Sequence, residues 1–246
     1  MSFSTYNPNK KVLVAMSGGV DSSVAVALLK KQGYSVTGGY MKNFSPESWE
    51  GVISKDCPWE RDMEDVGKVC EKLGIEWRSF NFEEEYREKV IEYFFREYAA
   101  GRTPNPDVLC NSEIKFGIFL EEAIKLGFDF IATGHYVMKH ETRNVKQNVS
   151  RFTLHVARDR NKDQSYFLYK LTPYQVSKSL FPLGDLTKPE VRELARKFGL
   201  PTAEKKDSQG VCFVGQIKLK NFLAQRIPIE KGPIVTEDGK KIGTHD

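Results

Sequence analysis

The 246-residue chain has no apolar run near the roughly 20 residues that a membrane-spanning helix needs. Its first residues, MSFSTYNPNKK, have neither the apolar core of a secretory signal nor the Arg-rich amphipathic pattern of a transit peptide. Cysteine is scarce. Cys57, Cys70, Cys110 and Cys212 lie far apart, with no C-x-x-C pair among them, which argues against a local zinc knuckle and against a disulfide framework. No internal repeat or low-complexity tract appears. With 40% apolar and 28% charged residues, the composition is that of a soluble globular protein. The length allows one large domain, or one domain and part of another, and the cytoplasm is the expected location.

Net charge is only +4, but it is unevenly placed. Residues 60–97 carry twelve acidic against seven basic side chains, and residues 139–170 carry eight basic against three acidic. A basic stretch beside an acidic one suits a polyanion approaching one face. On charge alone, two solvated surfaces explain it equally simply.

The apolar pattern alternates between strand and helix. KVLVAM (Lys11–Met16) reads as a buried strand. A helix with Val20, Val24, Ala27 and Leu28 on one stripe follows, stopped by Gly33. SVTGGYMK, IEWRSFNF and FDFIATGHY read as further strands, and 60–73, 83–98 and 111–126 as helices. This order predicts an α/β fold, a parallel sheet with helices on both faces. In LTKPEVRELARKFGLP, Thr187 and Glu190 form a capping box, and Val191, Leu194, Ala195 and Phe198 form the apolar stripe. Beyond residue 215 the pattern becomes shorter and more strand-like, with a turn at TEDGKK. Residues 43–59 and 139–148 read as long loops. The last residues, KIGTHD, break off without a closing element, which predicts a second domain that continues past them.

Two common phosphate-binding motifs are missing, G-x-x-x-x-G-K-[ST] and G-x-G-x-x-G. In their place, between the first strand and the first helix, stands SGGVDSS. Ser17, Gly18 and Gly19 let the backbone curl around an oxyanion, and the helix N-terminus favours negative charge. Ser17, Ser22 and Ser23 add hydroxyls. The loop holds no lysine, which argues against gripping terminal phosphates for phosphoryl transfer. A ligand-free glycine turn is the simpler alternative.

The thiols divide by context. Cys70 fits the inward face of a helix and reads as a small hydrophobe; Cys57 precedes Pro58 in a loop. Cys110 stands directly before a predicted helix, where a thiolate is favoured, with Asp107 three residues upstream as a candidate acid or base. Cys212 follows a glycine-containing turn among apolar residues. His135 and Tyr136, at the end of a strand, suit either a ligand or local packing. In KDQSYFLY the polar head suits a ligand, while Tyr166, Phe167 and Leu168 read as core.

SGGVDSS resembles the signature of the ATP pyrophosphatases, the PP-loop family. That resemblance implies a five-stranded parallel sheet of the adenine-nucleotide α-hydrolase-like type, a loop that binds the pyrophosphate part of ATP, and transfer of AMP to a substrate oxygen. TPNPDVLCN, ATGHY, KDQSYFL and KDSQGVCFVG follow in order. With the loop, they resemble the tRNA-specific 2-thiouridylases over nearly the whole chain, from residue 11 to residue 245. The resemblance implies ATP contacts at Ala15, Met16, Ser17, Gly18, Gly19, Val20, Asp21, Ser22, Met41 and Gly134. It implies that Asn105, Pro106 and Asp107 meet the target base, and that His135, Lys162, Asp163 and Gln164 contact tRNA. It makes Cys212 the carrier of persulfide sulfur and Cys110 its catalytic partner, with a disulfide between them after turnover.

The same resemblance implies ATP with magnesium, tRNA and a sulfur-donor or relay protein as partners, and no metal held by the protein. An iron–sulfur cluster on Cys110, Cys212 and one further ligand is the less favoured arrangement, since no C-x-x-C spacing supports it. Members of that family continue through a central domain into a C-terminal β-barrel that contacts tRNA. The expected division is a catalytic domain over 1–210 and the start of the central domain over 211–246. Two other readings fit the loop: an amidating synthetase of the same PP-loop class, and a nucleotide-binding module without chemistry. Both leave the two cysteine blocks unused.

Overall fold

A computed structural model describes residues 9–45, 59–144, 149–207, 219–228 and 230–245. Strand β1 (Lys11–Met16) sets the layering, because every residue after Lys11 is buried. Side chains alternate across a strand, so Val12, Val14 and Met16 enter one core while Leu13 and Ala15 enter the other. On the first face lie α1 (Val20–Lys31) and α2 (Trp59–Leu73). The second face is covered by two longer helical runs, α3 over 83–99 and α4 over 106–125. Each contains a π-helical segment, Arg87–Ile91 in α3 and Cys110–Ile118 in α4.

β2 (Ser35–Lys42) and β3 (Trp77–Asn81) extend the sheet to one side of β1; β4 (Phe130–Ala132) and β7 (Ser179–Leu180) extend it to the other. All neighbours are parallel, in the order β3-β2-β1-β4-β7. The order reverses between β1 and β4. In open α/β sheets, the crevice beyond the strand C-termini at such a reversal is where ligands bind.

β1 and β2 have the predicted bounds, and Gly33, Gly74, Gly127 and Gly199 follow their helices with positive φ. Four expectations need correction. The strand read in FDFIATGHY ends at Ala132, so His135 and Tyr136 lie in the connection beyond it. Of the stretch 139–148, read as a loop, residues 139–144 are strand and 145–148 lie outside the described residues: β5 (Val137–Asn144) pairs antiparallel with β6 (Val149–Val156). The helix read over 111–126 starts earlier, at Pro106, because Asn105 caps it and proline suits a first turn. A short helix, Leu219–Leu223, precedes the strand pair β8 (Gly232–Val235) and β9 (Lys241–His245). Phe222 of that helix packs on Phe94 and Phe95 of α3, at 6.0 and 5.0 Å between ring centres.

After β6, a 3-10 turn (Ser165–Leu168) and α5 (Pro173–Ser177) lead to β7 and then to α6 (Lys188–Lys197). The predicted capping box of α6 is present, and Val191 and Ala195 are buried against the first face. Among the described residues, no helix is long and apolar enough to cross a membrane.

Candidate nucleotide and thiol site

The crevice at the strand reversal is built by two tight approaches. Gly18 has φ +70°, and a Cβ there would stand 2.5 Å from the carbonyl oxygen of Asp62 in α2. On the other side, a Cβ on Gly134 would stand 2.8 Å from the Ser22 amide nitrogen. Glycine at both positions lets the β1 loop sit between α2 and the β4 connection. Gly19 is the N-cap of α1 and has no side chain to satisfy the first-turn N–H groups. The unsatisfied N–H groups of a helix start favour an anion.

The serines take different roles from those expected. Ser22 Oγ and Ser23 Oγ both donate to the Gly19 carbonyl, at 3.1 and 2.8 Å, and brace the loop from within. Ser22 Oγ also accepts from the Ser17 N–H at 3.2 Å. Ser17 itself is exposed at the loop mouth. Ala15, Met16 and Val20 are core side chains, so these positions can offer a ligand only their backbone. Met41 stands near the C-terminal end of β2, partly buried against the second face.

Asp21 anchors a charge network that sequence reasoning missed. Its Oδ1 accepts from the Tyr136 hydroxyl at 2.8 Å, and Lys188 Nζ donates to both its oxygens at 2.7 and 2.8 Å. Lys188 also pairs with Asp207 at 2.8 Å, and Asp207 is further paired with Lys162 and Arg192, each at 2.8 Å. Burial pushes the Asp207 carboxyl up, but Lys162 and Lys188 outweigh it and hold the group at about 2. Burial, followed by the charge of Asp21, pushes the Tyr136 phenol up, so it stays a hydrogen-bond donor. The one sequence signal for Lys188 was its place in the first turn of a capped helix.

The loop 162–164 joins the same network. Gln164 exchanges two hydrogen bonds with Tyr136, each 3.0 Å: its amide N–H donates to the Tyr136 carbonyl, and its Oε1 accepts from the Tyr136 N–H. Asp163 accepts from the Ala157 N–H at 2.8 Å and the Ser165 hydroxyl at 2.8 Å, which folds its own loop. Of the aromatic run that follows, only Leu168 is core. Tyr166 is exposed, and its ring lies 3.9 Å from that of Phe167.

On the second face, Asn105 Oδ1 accepts from the Asp107 and Val108 N–H groups at 3.2 and 3.3 Å and starts α4. Asp107 and Cys110 are then one helical turn apart. Cys110 does not stand before the helix as expected. It lies one turn inside, 2% exposed, at the start of the π-helical segment. Burial pushes the Asp107 carboxyl up, and Lys115 only partly opposes this. Lys115 also stands near His135, whose imidazole is driven well below its usual range, by burial first and Lys115 second. His135 is therefore neutral, with Nδ1 2.8 Å from Thr133 Oγ1 and its ring 5.8 Å from that of Phe116 in α4. The Phe116 contact ties the thiol helix to the crevice. Beside Cys110, Asn111 Oδ1 and Ser112 Oγ are buried and have no hydrogen-bond partner among the described residues.

Cys70 is different: wholly buried on α2, its Sγ 3.6 Å from Met16 Sδ, it is pushed up to about 11 by burial. It is the small hydrophobe that its place on the helix predicted. Cys57 and Cys212 lie outside the described residues, so the Cys110–Cys212 pairing has no geometry to report. Among the described residues, no group of three His, Cys, Asp or Glu could hold a metal ion.

Residues 10–216 match the family model described as tRNA methyl transferase HUP domain. The chain is 52% identical over 236 residues to the tRNA-specific 2-thiouridylase MnmA of Akkermansia muciniphila, covering 96% of this chain and 64% of that protein. It is 53% identical over 229 residues to the protein of the same name from Flavobacterium johnsoniae (93% and 57%) and 52% identical over 240 residues to that from Proteus mirabilis (97% and 63%). The chain thus spans between 57% and 64% of the length of these three relatives.

Proposed function

The chain belongs to the family described as tRNA methyl transferase HUP domain, and on that premise we propose that it carries out ATP-dependent 2-thiolation of the wobble uridine of tRNA. The family description speaks of methyl transfer, whereas the relatives' names speak of thiolation. The observation that carries the second reading is the thiol of Cys110 one turn from Asp107, on a helix tied to the nucleotide crevice through Phe116 and His135. Direct methyl transfer to an oxygen or nitrogen needs no thiol nucleophile.

The chemistry runs in two stages. The uridine 2-oxygen attacks the α-phosphorus of ATP, and pyrophosphate leaves into the Gly18–Gly19 cradle at the start of α1. Amides fixed before the reaction stabilise its charge without reorganising. The outer sulfur of a persulfide on Cys212 then attacks C2, and AMP departs. The Cys110 thiolate attacks the inner sulfur, which releases the thiolated base and leaves a Cys110–Cys212 disulfide for a reductant to reset. In the variant order, Cys110 first frees the sulfur as sulfide. Asp107, its carboxyl raised by burial, is suited to exchange a proton closer to neutral pH than an ordinary carboxylate. Magnesium would arrive on the ATP phosphates and neutralise part of their charge.

Asn105, Pro106 and Asp107 are assigned to the target base; His135, Lys162, Asp163 and Gln164 to tRNA. Neutral His135 serves there as a hydrogen-bonding ring, and Lys162 as the cation for phosphate. The base must leave the anticodon stack to reach a buried thiol. The partners are tRNA and a persulfide-donating protein, the location is the cytoplasm, and residues 1–210 form the catalytic domain with 211–246 opening the next. The test is mass spectrometry of tRNA nucleosides after incubation with ATP and a persulfide donor. We expect 2-thiouridine at the wobble position; a methylated nucleoside formed with a methyl donor, and no thiolated one, would overturn the proposal.

A further inference from the structure

We propose that Tyr166 and Tyr169 form a stacking platform for the unpaired bases that flank the target uridine in the anticodon loop. The inference deepens the tRNA part of the proposed function and rests on it. Both rings lie open to solvent, Tyr166 at 58% and Tyr169 at 72% exposure. One short element carries both. Residues 165–168 form the 3-10 turn, and Tyr169 continues it with φ −64° and ψ −19°. Side chains three apart eclipse in such a turn, so the two tyrosines stand on one face. Leu168 is sunk into the second core and fixes the turn from below. The Phe167 ring, partly buried, lies 3.9 Å from the Tyr166 ring and backs it. The turn packs against the start of α4, where Asp107 and Cys110 stand.

Exposed tyrosines could be merely wetted side chains, and the charges around Tyr166 decide what can meet it. Partial burial, and after it the charges of Asp107 and Asp163, push the Tyr166 phenol up, so the ring stands near both carboxylates. Two nearby carboxylates repel a phosphate. The face of a neutral base is then the part of an RNA that fits the ring. Unpaired bases stack on tyrosine in RNA recognition, and the contact tolerates any base because each has a π-face. When the target uridine leaves the anticodon stack, its neighbours lose a stacking face, and the two rings beside Asp107 replace it. Phosphate contact falls to Lys162, at the far end of the loop that leads into the turn. Lys170, next to Tyr169, is exposed as well, so the rings stand among charged groups rather than in an apolar patch of the kind that docks a protein.

The test uses the whole chain and an end-labelled tRNA anticodon stem–loop, with binding read by fluorescence anisotropy. With Tyr166→Ala and Tyr169→Ala together, affinity should fall about tenfold or more, the loss of stacking on at least one base. Tyr166→Phe with Tyr169→Phe should bind within about twofold of the parent, because the rings and not the hydroxyls carry the contact. The slope of log affinity against log salt should be the same in parent and variants, since no phosphate contact is removed. A stem–loop with abasic sites on both sides of the wobble uridine should lose the same factor with the parent, and nothing further with the double alanine variant. Equal affinity of parent and alanine variant for the intact stem–loop would overturn the platform. So would a loss in the alanine variant that is just as large on the abasic stem–loop, since the rings would then serve some other contact. A parent chain that binds no stem–loop overturns the RNA reading of the proposed function itself, an outcome separate from either.

Discussion

At the nucleotide end of the crevice, charge meets charge. Asp21 holds Lys188 and the Tyr136 hydroxyl, Asp207 holds Lys188, Lys162 and Arg192, and the loop serines brace the Gly19 carbonyl. At the thiol end the polar groups have fewer partners. Asp107 is raised by burial, His135 is neutral, and Asn111 Oδ1 and Ser112 Oγ are buried without a hydrogen bond among the described residues. A buried polar atom left unpaired costs about 1–3 kcal/mol. On the proposed function, the pocket around Cys110 with these unpaired atoms would meet a neutral base and a proton in transit, and the fixed charge would meet phosphates. Polyanions and neutral rings ask for these opposite environments.

The sharpest way to break this comparison is Cys110→Ser. Thiolation should be lost, while ATP affinity stays within about twofold of the parent, because the thiol lies outside the charge network. Nucleoside analysis beside calorimetry reads both, and joint loss would mean that the two ends are not separable. Asp107→Asn should reduce thiolation by about 100-fold or more, in the range of a lost general acid or base. In the parent, activity should rise with pH through an acidic limb displaced above the ordinary carboxylate range, the direction in which burial moves Asp107. A limb that persists in Asp107→Asn would assign it to another group.

Cys70→Ser should leave thiolation intact. Placing a hydroxyl against Met16 should cost about 1–3 kcal/mol of stability, read by denaturant unfolding. Activity loss at Cys70 with survival at Cys110 would mean that the functional and structural thiols are exchanged. The smallest effect is expected from Asp207→Asn. The carboxyl is held at about 2 against an ordinary 3.8, so its stabilisation is present above pH 4 and disappears as pH falls towards 2. With screening at a partly solvated site, the difference from the parent at neutral pH should be about 1–2 kcal/mol. Thermal melts across that pH range should converge at the acid end.

Much of the nucleotide end was legible because it is local. Strand, loop and helix lie together over 11–31, and the glycines mark the turn without reference to the rest of the chain. Lys188 was not legible, since it meets Asp21 across 167 positions and only the packing of α6 on α1 brings it there. The capping box revealed where α6 begins, but not what its first turn faces. The β5 residues from 139 on were read as a loop because their sequence, KHETRN, has no apolar alternation. The cross-strand contacts of β5 with β6 are instead of the kind made by His140 and His155, stacked 4.4 Å apart. The place of Cys110 was misjudged by one turn. Asn105 and Pro106 are a legible cap and first turn, but the apolar periodicity begins only after them.

The central claim of the proposed function is that the lysine-free cradle at the start of α1 serves cleavage between the α- and β-phosphates. The most direct measurement is the product pair formed from ATP in the presence of tRNA, resolved by anion-exchange chromatography. The account predicts AMP and pyrophosphate in equal amounts, dependent on tRNA. ADP and orthophosphate in their place would contradict it.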